Sequence, residues 1–398
     1  MSVMENSENF EQEIQKKKGI PLFTKFPSAQ RFSFFLLAII LTLFVLIEAK
    51  LFLYPLALAV LFAYLLYPIA NFLEKHRFPR LLAVLISVLI FLTIIGAVGV
   101  LVYKRVIGFI GDFPGFRSKA LQNIDLLEKQ LSLLFGNIDV NIMAFLRARV
   151  SGLFDASSDF MNKAFATTTG TIFRLAILPI FIFMFLYYRT KFAYFVLKLV
   201  PVEKQRIAIN ALRGVSKVAS RYMGGMSTVV IILCFINSIA FILIGVKYAI
   251  IFGFIAGLCS FIPYFGTIIG YSFPFFFSLL TSDTPQDTLK ILVAYLIVHL
   301  TENYILTPNI VGNAIKINAF MIIIGMIAAG MVWGFPGMFV IVPFLAMVKV
   351  ISEHVPTLHA YVYLLGTTGV RRHALTGENI RSFIQRMKAR KSRKFEKS

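Results

Sequence analysis

Acidic residues are scarce in this chain: 19 Asp and Glu stand against 40 Lys and Arg, and charged residues total only 15%. A soluble domain carries about 25% charged residues, so a water-soluble fold is excluded as the main body. Cysteine is nearly absent. Cys234 and Cys259 fall inside apolar runs, with no CxxC partner and no metal-like spacing. That excludes a disulfide framework or a zinc module and leaves two small packing residues. No P-loop is present, so ATP does not drive the chain directly. His299-Leu300-Thr301-Glu302 has the wrong order and spacing for a zinc-protease helix. No apolar run holds a pair of Asp residues, against both an intramembrane aspartic protease and an Asp-based cation antiporter. No enzyme activity, cofactor or metal is expected. Residues 1–30 lack the basic start, short apolar core and small-residue cleavage site of a signal peptide.

Apolar residues fill the space left by charge. They make up 58% of the chain, with 42 Phe and a mean hydropathy of +0.80. These values describe an all-α polytopic membrane protein. The net charge of +21 would suggest nucleic acid in a soluble protein. Here the cations cluster at span ends and tails, so the partner is anionic lipid, with positive residues on the cytoplasmic side and no nucleic acid.

Spans need about 20 apolar residues. The organisation reads as a flexible cytoplasmic tail (1–30), N-terminal spans (31–105, at 31–47, 51–72 and 81–103) and an extracytoplasmic helical domain (106–169). In that domain Leu121, Ile124, Leu127, Leu131 and Leu134 recur at helical spacing, and Gly136-Asn137 marks a turn. A transmembrane region (170–352) follows. It contains a span at 171–188, an amphipathic cytoplasmic helix at 189–221 rich in Lys and Arg, and spans at 222–244 and 289–306. A basic cytoplasmic tail (353–398) ends the chain. Counting crossings from an inside N-terminus puts 74–80, 189–221 and both tails inside, and 106–169 and the acidic 281–288 loop outside.

Two further apolar segments, 248–280 and 318–352, are broken in the middle. The breaks are Ile262-Pro263-Tyr264-Phe265-Gly266 and Trp333-Gly334-Phe335-Pro336-Gly337. Lipid offers no partner for freed backbone groups, so such breaks persist only where protein or a cavity covers them. A pair of interrupted hydrophobic segments points to a transporter's binding region. Residues 248–262 would rise only about 22 Å, short of a ~30 Å hydrocarbon core, which favours re-entrant arms. Pro263 removes a donor and Gly266 permits unusual backbone angles. Backbone carbonyls and the Tyr264 hydroxyl at this tip are candidate contacts for a small polar solute; the alternative is a purely structural turn. Gly334, Phe335, Pro336 and Gly337 invite the same two readings, and Trp333 is an interfacial anchor or a gate. Gly253-x-x-x-Gly257 and Gly266-x-x-x-Gly270 offer small faces for one arm to pack on the other. His299, Glu302 and Asn303 share a helical face by spacing. An ionisable residue at such depth is a functional hypothesis: Glu302 and Asn303 form a polar patch facing the hairpins, and Glu302 binds a proton or cation. The alternative is that Glu302 caps a helix or pairs with Lys316. Pro308 and Gly312 are a candidate hinge, or ordinary turn chemistry.

Taken together these pieces resemble the autoinducer-2 exporter (AI-2E) family of transporters, over residues 51–350. The resemblance is carried by Tyr64-Leu65-Leu66-Tyr67-Pro68, Phe78-Pro79-Arg80, Asp112-Phe113-Pro114, the basic helix over 201–225, residues 257–266, Glu302-Asn303 through Pro308-Asn309-Ile310-Val311-Gly312, and residues 330–343. It implies a bacterial inner-membrane homopentamer in which two helical hairpins hold the solute and move in an elevator-like cycle. It also implies export of autoinducer-2 or a related signal, or sodium/proton antiport. Glu302 matches the family's Glu. A pentameric channel and a non-transporting scaffold are the rival classes.

Overall fold

The computed structural model describes residues 28–135, 140–166, 168–282, 284–312 and 317–367. The expected turn at Gly136-Asn137, residue Lys316, most of the N-terminal tail and residues 368–398 lie outside them. The described elements are helical throughout. In chain order they are α1 (Ser28–Glu48), α2 (Lys50–Lys75), α3 (Arg80–Phe135), α4 (Val140–Ala166), α5 (Thr168–Tyr187), α6 (Arg189–Leu199) and α7 (Gln205–Ile244). Then come α8 (Ala249–Cys259), α9 (Phe265–Thr281), α10 (Pro285–Thr301), a π-helical segment (Glu302–Val311), α11 (Ala319–Trp333), α12 (Phe335–His354) and α13 (His359–Leu365). Among the described residues, five helices are long and apolar enough to cross a membrane, or six if the bent α5–α6 pair counts as one.

The chain divides into two compact units, residues 1–53 and 54–398. In the first, α1 presents Phe32, Phe35, Leu37, Ile40, Leu41 and Phe44 as exposed side chains. An apolar helix of this kind needs lipid or another apolar surface around it.

Inside the second unit, two helices run further than their apolar stretches do. The reading of 81–103 as a span with a separate domain beyond it becomes one 56-residue helix, α3. Its outer half packs Phe116, Ala120 and Ile124 on Met143, Val150 and Phe154 of α4. Likewise the amphipathic stretch expected over 189–221 divides at Pro201. Its first part is α6, bent 62° from α5. Its second part runs without interruption into the next span as the 40-residue α7. Nothing between 205 and 244 stops the helix: the stretch holds no Pro, and Gly214 and Gly225 are packed against Val350 and Val311. The stop comes at Gly245, at φ +86°, where Gly245 N–H donates to Ile242 O and Val246 N–H to Phe241 O.

Helix α7 is the post on which both broken segments are hung. The first (hairpin 1, α8 and α9) follows directly from its C-terminal end. The second (hairpin 2, α11 and α12) packs near its N-terminal end, where Gly214 faces Val350 and His354. The two hairpins therefore enter from opposite ends. Gly257 opposes Cys234 and Gly214 opposes Val350. Equal rise along antiparallel helices then brings both breaks level with about Val229. They touch there: the Phe261 and Phe339 rings have centroids 5.0 Å apart. Helix α8 has 11 residues, a rise of about 16 Å, half of a hydrocarbon core. Helix α12 has 20, but its last turns carry Lys349, Glu353 and His354.

Lipid tails are as apolar as side chains, so close packing rather than hydrophobic drive holds such helices together. A Cβ at Gly257 would stand 2.6 Å from the Cys234 nitrogen, and one at Gly270 2.6 Å from the Ala256 Cα. The four glycines of hairpin 1 thus divide their work. Gly266 and Gly270 join arm to arm, as expected. Gly253 and Gly257 instead seat α8 on α7, against Ser238 and Cys234.

Candidate functional site

The break in hairpin 1 closes on itself. Ser260, Phe261 and Ile262 donate their N–H groups to Gly257 O, Leu258 O and Cys259 O; Phe265 N–H goes to Pro263 O and Gly266 N–H to Ile262 O. Ile262 is buried, whereas Tyr264 and Phe265 are exposed. Tyr264 holds φ +67° and ψ −47°, a conformation that costs a non-glycine residue of order 1–3 kcal/mol. Such cost persists only where the surroundings impose it. In hairpin 2 the turn falls on Gly334, at φ +65° and ψ −143°, a region open in practice to glycine alone. Phe335 is exposed, Pro336 is half-buried and opens α12, and Gly337 is buried against the Ala329 carbonyl.

Between the break of hairpin 1 and its roots lies a group of polar side chains on α7, α9, α10 and the π segment. Glu302 is 9% exposed. Its Oε2 has no hydrogen-bond partner among the described residues. The hydroxyl of Tyr271, on the returning arm of hairpin 1, donates to Asn237 Oδ1 on α7. Asn237 is wholly buried and its Nδ2 is likewise unpartnered among the described residues. Tyr271 stacks edge-on to Tyr295, which lies flat against His299. His299 Nδ1 stands 3.2 Å from Thr267 Oγ1, again on hairpin 1. Unsatisfied polar atoms at this depth are expensive, which makes Glu302 and Asn237 candidates for holding a proton, water or solute.

Neighbouring residues on a helix point about 100° apart, so one of this pair can be buried without the other. Glu302 turns inward, while Asn303 is exposed and its amide bends back, 2.9 Å from His299 O. The helix takes π form from Glu302 to Val311, and such widenings commonly lie at functional positions. The segment ends at Gly312, at φ +60° and ψ −149°, and packs Val311 on Gly225 of α7. Pro308 sits exposed within it. The structure thus sets the His299–Glu302 turn against hairpin 1 through Thr267, levels the two hairpin breaks with each other, and turns Asn303 aside.

Sequence reasoning passed over Asn237, Thr267, Tyr271 and Tyr295. Asn237-Ser238 was the available signal: two adjacent polar residues in the middle of an apolar span.

Hairpin 1 is also fastened at its roots. Tyr248 donates its hydroxyl to Asp112 Oδ2 at 2.6 Å and lies 3.0 Å from Gly108 O, and Lys247 Nζ meets the same carboxylate at 2.7 Å. Asn123 Nδ2 holds Leu280 O and Ser282 O at the other root. From Arg80 to Asp112 α3 rises about 48 Å, beyond a ~30 Å core, so these roots lie outside the hydrocarbon. The Lys247 ammonium, then the Tyr248 hydroxyl, hold the Asp112 carboxyl below the usual carboxylate range.

A many-span helical protein with two inverted, broken hairpins around a buried carboxyl has the architecture of a membrane carrier. The chain belongs to the AI-2E transporter family: the family model for AI-2E family transporters matches residues 34–357. Among its relatives, YrrI of Bacillus subtilis (strain 168) is 26% identical over 335 residues, covering 81% of this chain and 91% of that protein. YueF of the same organism is 22% identical, covering 74% and 82%. The AI-2 transport protein TqsA of Escherichia coli (strain K12) is 23% identical over 307 residues, covering 75% and 85%.

Proposed function

We propose that this protein exports a small polar solute across the bacterial inner membrane by alternating access, with both termini cytoplasmic. The reading is carried by one observation: an unpartnered Glu302 oxygen buried beside hairpin 1, and an unpartnered Asn237 amide nitrogen, on a side chain held by Tyr271 of the same hairpin, about two helical turns along α7 from the level of the breaks. Hydrogen-bonding capacity held unused at that depth suits a polar solute that replaces water there. The breaks at Pro263, Tyr264, Phe265 and Gly266 and at Gly334, Pro336 and Gly337 would bound the site. Pro308 and Gly312 would serve as the hinge through which the Glu302 segment follows the hairpins in an elevator-like movement. Autoinducer-2 or a related signal is the solute to test first, because TqsA carries that name. The chain would work as a homopentamer, with the basic residues of α6 and the first turns of α7 resting on anionic lipid.

A second reading, sodium/proton antiport, is favoured by the same lone carboxyl. Reconstitution in liposomes separates the two. Saturable autoinducer-2 flux that Glu302→Gln reduces supports export. Sodium-dependent proton movement, lost in the same variant, supports antiport. Weakly saturating current would indicate a pore, and no flux of any solute a scaffold; either outcome overturns both carrier readings.

A further inference from the structure

A cavity of about 560 Å³ opens at the rooted end of hairpin 1, away from its break. Its walls come from the outer half of α3, the turn between α7 and α8, and the α9–α10 junction. This volume lies within the ~300–1,000 Å³ of small-molecule sites. Two features make it more than a packing gap.

The first is the room left by glycine. Gly111 and Gly115 line the cavity one helical turn apart on α3, and a Cβ at either would meet nothing within 4 Å. A glycine inside a helix costs about 1 kcal/mol relative to alanine. No close approach to a neighbour requires it at these positions, so open space is what the two glycines provide.

The second is the charge of the walls. Lys119 and Lys247 contribute two ammonium groups, and Asp112 and Asp287 two carboxylates. These groups are held in place. Lys247 lies 4.9 Å over the Phe116 ring, and Asp287 is bound by Lys290 at 2.8 Å and by the Thr284 hydroxyl at 3.2 Å. The buried Ser278 hydroxyl lies 2.9 Å from that of Ser282 and 3.1 Å from that of Thr288. The wall presents both signs side by side, Lys247 with Asp112 at 2.7 Å and Asp287 with Lys290 at 2.8 Å, so a solute of one sign would meet a like charge next to each partner. A solute bearing both signs would find an opposite charge for each end.

We infer that this cavity binds a small zwitterion of amino-acid size, its carboxylate toward Lys119 and Lys247 and its ammonium toward Asp287. Bound there, the solute bridges α3 and both roots of hairpin 1. The inference does not rest on the transport reading, since binding is measured without flux.

The test is calorimetric titration of the purified full-length protein in detergent with L-alanine and L-glutamine. Propionate and ethylammonium, each carrying one charge of alanine, and glycerol serve as comparisons. The zwitterions should saturate a site, with either single ion at least about tenfold weaker. Gly115→Leu should fill the cavity and abolish the titration while the melting temperature stays near wild type. Lys119→Gln, a milder change, should weaken zwitterion binding if Gly115→Leu does not fold. Failure of both zwitterions to saturate, equal binding of propionate or glycerol, or wild-type zwitterion affinity in the folded variants overturns the assignment. Flux measured in liposomes with the same variants reports separately on the transport reading.

Discussion

The two hairpins share a plan and differ in chemistry. Hairpin 1 carries buried hydroxyls at Ser260, Thr267, Tyr271, Ser278 and Thr281. Its break bends through Tyr264 at positive φ, and its roots are clasped by Asp112, Asn123, Lys247 and Tyr248. Hairpin 2 is apolar almost throughout. Its turn is the glycine Gly334, and one of its roots is capped by Asn318 Oδ1, which accepts from Phe320 N–H. One arm pair therefore brings polar groups to the site, and the other closes it with hydrocarbon. Strain sits where the chemistry is, and the plain arm uses a residue that avoids it.

The sharpest test is a set of alanine changes. A Cβ at Gly266 runs into the Cys259 backbone and one at Gly337 into the Ala329 backbone, whereas one at Gly330 meets the flexible Met338 side chain. Gly266→Ala and Gly337→Ala should each destabilise by about 3 kcal/mol, lowering melting temperature and yield; Gly330→Ala should cost far less. A small loss in either of the first two would show that its break is packed loosely. Next in size, Gly334→Ala should cost roughly 1–3 kcal/mol through its backbone angles, while Tyr264→Gly, already strained, should leave the melting temperature nearly unchanged.

For the site itself, Glu302→Gln should reduce solute flux in liposomes by about tenfold or more, equivalent to about 1.4 kcal/mol, with little change in stability. Asn303→Ala, on the exposed side, should have a minor effect on the same assay. Unchanged flux in Glu302→Gln would remove the carboxyl from the mechanism.

Smaller effects belong to the clasp. Tyr248→Phe, which removes an exposed hydrogen bond to Asp112, should lower the melting temperature only slightly. The folded carboxyl of Asp112 titrates below its unfolded value. Its contribution is therefore complete above the ordinary carboxylate pKa of ~3.9 and declines as pH falls through the lower, folded value. Asp112→Asn should flatten that acid limb in a melting series from neutral to acidic pH. An unchanged acid limb would assign the dependence to other carboxylates.

Much of the architecture was legible because lipid restricts the options. A Pro or Gly inside an apolar run has few explanations, so the segments read as 248–280 and 318–352 correspond closely to α8–α9 and α11–α12. Glu302 stood out for the same reason: one acid in an apolar helix. The continuity of α3 and α7 was harder to read, since a helix crossing from lipid into water changes its pattern of polar residues without changing its backbone. Which of Glu302 and Asn303 would face the protein was not legible, because neighbours about 100° apart on a helix can divide between a buried and an exposed side and only packing partners choose.

Composition and order alone settle that this is a helical, many-span membrane protein with two interrupted arms, since hydropathy and backbone chemistry are local properties. Which arm is polar inside, that the arms enter from opposite ends of α7, and that Asn237 and Tyr271 find each other beside Glu302 depend on residues far apart in the chain. Those pairings arise from close packing against α7, and packing partners are chosen by shape in three dimensions rather than by pattern along one.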